Sequence, residues 1–202
     1  MPRVRKAPPD VDVRVALLDA AGELLSTEGP TALTTRRLAT EAGTTTQSIY
    51  TLFGGKEGVV RAMFREGYAR LQARLEAVKE TKDPLLDLRA LGRAYRAAAL
   101  ASPNYYDVMF GRPVKEFAPN SEDLAIAART QKLLQHGIQR VLDAGLLHDG
   151  SDPAAIARYL WAVTHGVVSL ELVGALRLRG KRDPSPEYDD YLTYSLSPFV
   201  KH

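Results

Sequence analysis

Apolar residues recur every three or four positions along most of this chain, which is the spacing of one face of an α-helix. The first run of this kind consists of Val13, Leu17, Ala20, Ala21, Leu24 and Leu25. It stops at Gly29 and Pro30, two residues that commonly end helices. No stretch alternates apolar and polar residues as a half-buried strand does. The pattern therefore predicts an all-α protein of about nine helices.

Two short helices joined by a tight turn follow the first one. One begins after Thr34, a typical N-cap residue, and stops at Gly43. The other covers Thr46–Phe53, with Thr45 or Thr44 as its cap. This arrangement predicts a helix-turn-helix, in which the second helix enters the major groove of DNA.

The side chains of these two helices divide into an inner and an outer set. We expect the inner set to pack on the first helix; it comprises Leu38, Ala39, Ala42, Ile49 and Phe53. The outer set comprises Thr45, Thr46, Gln47, Ser48 and Tyr50. Hydroxyl groups reach DNA phosphates, and a glutamine amide can bond adenine in two places. Each such residue alone is more often a cap or a core residue, so the prediction depends on the whole pattern.

A long helix is expected to begin at Lys56 and to end near Thr81. Further helices are expected over residues 85–101, 105–110, 123–144, 153–179 and 187–199. We divide the chain into a basic arm, a helix-turn-helix domain and an effector-binding and dimerisation domain, at residues 1–9, 10–56 and 57–202.

Composition supports a globular protein. Of the 202 residues, 45% are hydrophobic and the net charge is +3, which excludes wholesale disorder. Residues 1–70 contain ten Lys and Arg and eight Asp and Glu, so the predicted DNA-binding part is only mildly basic. Three of these cations, Arg3, Arg5 and Lys6, lie in the arm. They would either enter a minor groove or belong to a solvated tail.

The residue content argues against several kinds of chemistry. The absence of cysteine excludes disulfides, thiolate zinc sites and cysteine nucleophiles. The four histidines do not occur at metal-binding spacing, and no phosphate loop, nucleophile elbow or dinucleotide fingerprint is present. We therefore expect no enzyme, no metal and no cofactor.

Two segments concern the location of the protein. The N-terminus lacks the apolar run of a signal peptide, so we expect a cytoplasmic protein. Residues 159–178 have the length of a membrane span, but they include Thr164, His165, Ser169 and Glu171. An ionised glutamate near a bilayer centre is costly, so we interpret this stretch as a helix buried within protein and expect no membrane partner.

The first 65 or so residues resemble the tetracycline-repressor (TetR) family of bacterial transcriptional regulators. The resemblance rests on Gly29, Thr34–Ala39, Ala42–Gly43, Ile49–Tyr50, Phe53 and Lys56–Glu57 at the family's spacing. It implies a homodimer whose N-terminal heads bind a palindromic double-stranded DNA operator. It also implies that the C-terminal helices bind a small effector. Our hypothesis is that this effector releases the operator by shifting the helix that begins at Lys56.

The resemblance also assigns roles to single residues. Tyr50 and Lys56 match phosphate-contacting positions, and Thr34 or Thr35 matches a backbone contact at a helix start. We include Arg36 among the DNA-binding residues as well. The base-reading positions are Thr45, Thr46, Gln47 and Ser48. The family often has Gly or Pro where Gln47 stands and His where Leu52 stands, so Gln47 adds a possible base reader and Leu52 removes a phosphate donor.

In the C-terminal half, Trp161, His165 and Gly166 resemble the Trp-His-Gly class of this family's C-terminal domain. Gly166 within a helix suggests a close helix approach. We therefore predict a four-helix dimer interface that includes Gly166, Leu170, Val173, Tyr191 and Tyr194.

Large apolar residues with polar tips are candidates for an effector pocket. The predicted pocket residues are Tyr105, Tyr106, Met109, Phe110, His136, Trp161 and His165. Core packing explains the aromatic cluster equally well, and a core histidine bonded to a neighbouring helix explains His165 equally well. The pocket would favour an aromatic or lipophilic effector. We expect the protein to be a regulator, and specifically a repressor. The alternative is a helical dimerisation or scaffold protein that binds no effector.

Overall fold

The computed structural model describes residues 10–176 and 185–201. Within these residues the chain forms nine α-helices, one 3-10 turn over Pro30–Ala32 and no strand beyond a single bridge. The helices are α1 (Asp10–Thr27), α2 (Thr35–Glu41), α3 (Thr46–Phe53), α4 (Lys56–Glu76), α5 (Pro84–Ala101), α6 (Pro103–Phe110), α7 (Ser121–Asp143), α8 (Pro153–Leu172) and α9 (Ser185–Leu196). The predicted all-α fold is confirmed. The basic arm, with Arg3, Arg5 and Lys6, lies outside the described residues.

The helix starts follow local signals in the sequence. The Thr34 hydroxyl accepts a hydrogen bond from the Arg37 backbone N–H, and the Thr45 hydroxyl accepts one from the Ser48 N–H. These caps confirm Thr34 and choose Thr45 over Thr44, because each satisfies a backbone donor of the first turn. Asp83 caps α5 in the same way, through the N–H groups of residues 85 and 86.

Three helices end earlier than predicted: α4, α8 and α9, the last of which stops at Leu196 rather than near residue 199. Helix α4 stops at Glu76 rather than near Thr81, because Thr81 leaves the helix and bonds the Asp87 carboxylate through its N–H and its hydroxyl, both at 2.8 Å. Helix α8 stops at Leu172 rather than near residue 179. There Gly174 takes a left-handed conformation, with φ at 70°, that ends the helix. The predicted extension over 177–179 lies outside the described residues.

The described chain forms two compact units. Unit one comprises residues 10–68 and 104–124, and unit two comprises the rest, so α4 begins in the first unit and ends in the second. This spatial division does not coincide with the predicted functional boundary at residue 56. That boundary stays a prediction.

Unit one has an apolar core built around the start of α4. Buried residues from α1, α2 and α3 include Leu17, Leu38 and Ile49, none of which is exposed. An aromatic cluster continues this core, with ring centroids 5.6 Å apart for Phe64 and Phe117 and 6.0 Å apart for Tyr68 and Phe110. Aromatic pairs at these separations add to the stabilisation that burial provides.

A buried ion cluster also joins the sequence-distant parts of unit one. The Asp123 carboxylate, which is not exposed at all, pairs with Arg61 and with the Arg65 Nε at 2.6 Å. It also accepts the Asn120 N–H at 3.0 Å. Burial alone would raise the pKa of Asp123, but these donors outweigh it and hold the pKa below its ordinary value.

Unit two has a separate core in which four helices meet, α5, α7, α8 and α9. Its buried members include Leu88, Ile138, Val141, Leu160 and Leu196. Ion pairs at its margin join distant segments: Arg140 bonds Asp87 at 2.6 Å, and this bond, with those from Thr81, lowers the pKa of Asp87. None of the helices within residues 10–176 and 185–201 is long and apolar enough to cross a membrane.

Candidate functional site

Helix α3 presents a polar face outside the core of unit one. Ile49 is fully buried and fixes the rotation of the helix, and the same rotation leaves Tyr50 56% exposed. Thr45, Thr46 and Gln47 are exposed as well, and Ser48 is partly buried.

The polar side chains of this face differ in how many hydrogen bonds they already make. Thr45 and Ser48 are held by the cap, with their hydroxyl oxygens 3.1 Å apart, and the Thr44 hydroxyl donates to Ser48 at 3.0 Å. Among the described residues, Thr46, Gln47 and Tyr50 have no side-chain hydrogen-bond partner. These three groups are therefore available to a ligand without breaking an existing bond.

The cations near α3 differ in whether they pair with an acidic side chain. Arg37 is bound by Glu28 at 2.7 Å and Glu41 at 3.3 Å, and these acids raise its pKa. Arg36, one position earlier on α2, is exposed and pairs with no acid in the described part of the chain. Lys56, at the start of α4, likewise has no acidic partner there. Among the described residues, the two predicted cations therefore remain available to an anion, and so does the exposed Arg14, whose guanidinium lies over the Phe53 ring.

The turn from α3 to α4 fixes how these two helices meet. Gly54 ends α3 in the left-handed region with φ at 75°, and Gly55 follows with φ at 118°. Gly58, in the first turn of α4, lies against the last residue of α3: a Cβ there would overlap the Phe53 carbonyl oxygen and lie 2.6 Å from its carbonyl carbon. The missing side chain permits this close approach.

The predicted aromatic pocket residues pack inside unit one. Tyr105, Tyr106 and Met109 are buried, and the Met109 and Tyr105 side chains cover Gly67 of α4. Tyr106 packs against Phe110 in a tilted arrangement, with ring centroids 4.8 Å apart. None of these four predicted residues lines the cavity of unit two, because α6 directs them onto α4.

Unit two contains a cavity of about 60 Å³ with largely apolar walls. Five helices each contribute leucine to it, namely Leu71, Leu88, Leu134, Leu160 and Leu192. Trp161 also lines it and is the one predicted pocket residue that does. Arg89, which sequence reasoning did not select, is the one charged residue among the lining side chains.

The two predicted histidines occupy other surroundings. The His165 Nδ1 lies 3.1 Å from the Tyr95 hydroxyl and its Nε2 lies 3.4 Å from the Ser169 hydroxyl. Burial lowers the pKa of His165, which favours the neutral form of the ring. His136 is largely exposed and its Nε2 lies 2.9 Å from a Glu80 oxygen. Neither histidine lines the 60 Å³ cavity, but His136 lines a second cavity of unit two, of about 180 Å³, together with Glu80, Asp87 and Arg140.

Three of the five predicted interface residues, at the end of α8 and on α9, are exposed. Val173 is 76% exposed, Tyr194 69% and Leu170 49%, while Tyr191 is partly buried. A Cβ added at Gly166 would meet nothing within 4 Å. The close helix approach inferred from Gly166 therefore does not occur within the residues that the structure describes.

Similarity to known proteins agrees with the geometry of α2 and α3. Residues 17–63 match the model of bacterial regulatory proteins of the tetR family. Residues 88–191, more than half of the chain, match the tetracyclin repressor-like C-terminal domain. No curated protein is similar enough in sequence to match.

Solved structures of regulators superimpose on nearly the whole chain. The regulatory protein SCO4313 is 27% identical over 95% of this chain and 100% of its own, with a TM-score of 0.74. PfmR from Thermus thermophilus is 20% identical over 90% and 97%, with a TM-score of 0.73. SmeT, the repressor of the Stenotrophomonas maltophilia multidrug efflux pump SmeDEF, is 23% identical over 94% and 93%, with a TM-score of 0.69. At these identities the last two show the fold alone.

The head formed by α1 to α3 and the helical C-terminal part define a helix-turn-helix transcription regulator rather than an enzyme. The chain belongs to the tetracycline-repressor family.

Proposed function

We propose that this regulator is a homodimeric repressor that binds a palindromic operator through α3. The observation that carries the proposal is the exposed row of Thr46, Gln47 and Tyr50, whose polar groups have no partner among the described residues. Since the row lies on a helix of a helix-turn-helix, a base edge is the partner it suits. A protein that works on DNA in this way acts in the cytoplasm.

The proposal gives each predicted DNA-binding residue a role. Gln47 reads a base, and Thr45, Thr46 and Ser48 contact bases or the adjoining phosphates. Tyr50, Lys56, Arg36 and the threonines Thr34 and Thr35 contact the sugar-phosphate backbone. Phosphate contacts set register and affinity, whereas base contacts set sequence preference.

Operator selection from random duplexes, followed by a gel-shift assay, tests DNA recognition. We expect Gln47→Ala to relax preference at one base pair by about 1 to 3 kcal/mol. Gln72→Ala on α4, where the glutamine bonds Glu76, is the matched control and should leave the preference unchanged. Failure of the wild type to select any sequence would contradict DNA recognition and favour a dimerisation protein.

Dimer formation is proposed for the exposed face of α8 and α9. Leu170 and Val173 lie one turn apart, and an exposed apolar face of this kind is typical of an interface. Leu170→Arg should therefore give a monomer in sedimentation velocity. Leu124→Arg changes a leucine of similar exposure, 57%, on α7 of unit one and should leave the dimer intact. Equal effects of both variants would contradict this interface.

The cavity of unit two is the proposed effector site. Leu71 and Leu75 of α4 line it, and Gly58 of the same helix contacts the end of α3. An effector that displaces α4 would thereby move the recognition helix and weaken operator binding. An operator affinity that stays the same when the cavity is occupied would refute this switch.

A further inference from the structure

The cavity of unit two holds a charged group that the protein itself does not satisfy. Arg89 of α5 is partly buried, and its Nε is inaccessible to solvent and has no hydrogen-bond partner among residues 10–176 and 185–201. An unmade hydrogen bond at a buried donor costs roughly 1 to 3 kcal/mol, and more at a charged one. A group retained at that cost is a candidate for binding a ligand.

The other arginines of α5 show how this chain treats cations that are not needed for binding. Arg93 forms two bonds to Asp189, at 2.6 and 2.9 Å. Arg96 forms two bonds to Glu171, at 2.8 and 2.6 Å. In the part of the chain that the structure describes, Arg89 alone of these three has no carboxylate. The cavity lining contains no Asp or Glu that could supply one.

The neutral polar groups of the lining complete the pattern. The hydroxyls of Thr130 and Ser195 donate to carbonyl oxygens of their own helices, at 2.8 and 2.9 Å. The Gln131 amide and the Thr164 hydroxyl make no such bond within the described residues. The cavity therefore offers a guanidinium, an amide and a hydroxyl to a ligand oxygen, within walls that are otherwise mostly leucine.

We infer that the ligand of this cavity is an amphiphilic monoanion, an aliphatic carboxylate whose head binds Arg89 and whose chain lies among the leucines. The inference rests on the proposed role of the cavity as the effector site. A carboxylate matches the two-pronged geometry of a guanidinium. One cation with neutral donors balances a single negative charge. The cavity is partly open to solvent, so the chain of such a ligand can extend beyond the enclosed volume of about 60 Å³.

The test compares three probes that differ in the head group: octanoate, 1-octanol and octylammonium. Trp161 is the only tryptophan of the chain and lines the cavity, so its fluorescence reports occupancy directly. Near neutral pH, octanoate should saturate the signal with a Kd at least about tenfold below that of octanol. Octylammonium should bind most weakly, because its charge repels Arg89.

Variants assign the preference to one side chain. Arg89→Gln should raise the Kd for octanoate to that for octanol, and Arg89→Lys should keep part of the preference. Arg129→Gln is the matched control, because Arg129 is an exposed arginine of α7 that does not line the cavity. It should leave all three affinities unchanged. Circular dichroism spectra confirm that each variant is folded, and the wild-type comparison needs no variant.

Three outcomes would overturn the inference: equal affinities of wild type for octanoate and octanol, no saturable signal with any probe, or a preference that survives Arg89→Gln. The titrations are made without DNA, and operator affinity is measured separately on the same preparations. Loss of operator binding without ligand would contradict the proposed regulator function alone. Octanoate binding through Arg89 that leaves operator affinity unchanged would contradict the effector role alone.

Discussion

Gly58 makes the placement of the recognition helix testable with one methyl group. In Gly58→Ala the new Cβ would lie 2.6 Å from the Phe53 carbonyl carbon, where ordinary contacts are 3.4 to 4 Å. The obstructing atoms belong to backbone, so no side-chain rotation relieves the overlap. Helix α4 and the end of α3 must therefore separate by roughly 1 Å or more.

Two effects should follow from that displacement. Overpacking of a side chain typically costs about 1 to 3 kcal/mol, and a backbone obstruction belongs at or above the upper end. We therefore expect unit one to lose about 3 kcal/mol of stability. Since Gln47 and Tyr50 are carried on α3, operator affinity should fall by at least about 100-fold, the equivalent of losing roughly 3 kcal/mol of correctly placed contacts.

Urea denaturation and gel-shift titration on the selected operator measure the two effects. Gly137→Ala is the matched control, because a Cβ there meets only the tips of Leu91 and Leu88, at 3.1 and 3.4 Å, and these can move. It should change operator affinity less than threefold. A Gly58→Ala protein with wild-type stability and affinity would refute the reasoning that this glycine sets the contact.

Three other predictions concern stability and assembly. Asp123→Asn should lower the free energy of unfolding in urea by about 2 to 3 kcal/mol, because Arg61 and Arg65 lose their buried anion; the lowered pKa of Asp123 means that this difference is present above pH ~4 and disappears at lower pH. A loss below about 1 kcal/mol would contradict it. Burial raises the pKa of Tyr68 to about 12, so its contribution to stability should be lost as pH rises above 10, and wild type should lose up to about 2 to 3 kcal/mol more than Tyr68→Phe. Equal alkaline denaturation profiles would count against this. Gly166→Ala should weaken the proposed dimer at least about tenfold in sedimentation equilibrium, because the described residues leave the space beside Gly166 empty and a second copy would approach it closely; a tighter dimer would exclude that approach.

Local signals in the sequence were sufficient for the head. Thr34 and Thr45 act as caps and Gly54 as a left-handed stop, and each of these depends on residues within one helical turn. The exposed face of α3 follows from the same local periodicity, because burying Ile49 turns Tyr50 outward. Such features need no knowledge of the tertiary structure.

Features that depend on distant partners could not be predicted. In the sequence, nothing distinguishes Arg89 from Arg93 and Arg96. The acids that bind Arg93 and Arg96 lie 96 and 75 residues away along the chain. The aromatic residues of α6 have the composition of a pocket wall, yet they pack on α4 instead of lining the cavity of unit two. Hydrophobic composition predicts burial but not which neighbours a side chain meets.

The division of the chain into units has a practical consequence for protein engineering. Residues 104–124 return to unit one after α5, so an N-terminal fragment ending at residue 68 would leave out α6 and the start of α7. In that fragment Arg61 and Arg65 would lack Asp123, and Tyr68 would lose its contact with Phe110. A fragment that ends at residue 68 therefore does not contain all of unit one. A chimera that joins unit one to another sensor domain has to include both residues 10–68 and residues 104–124.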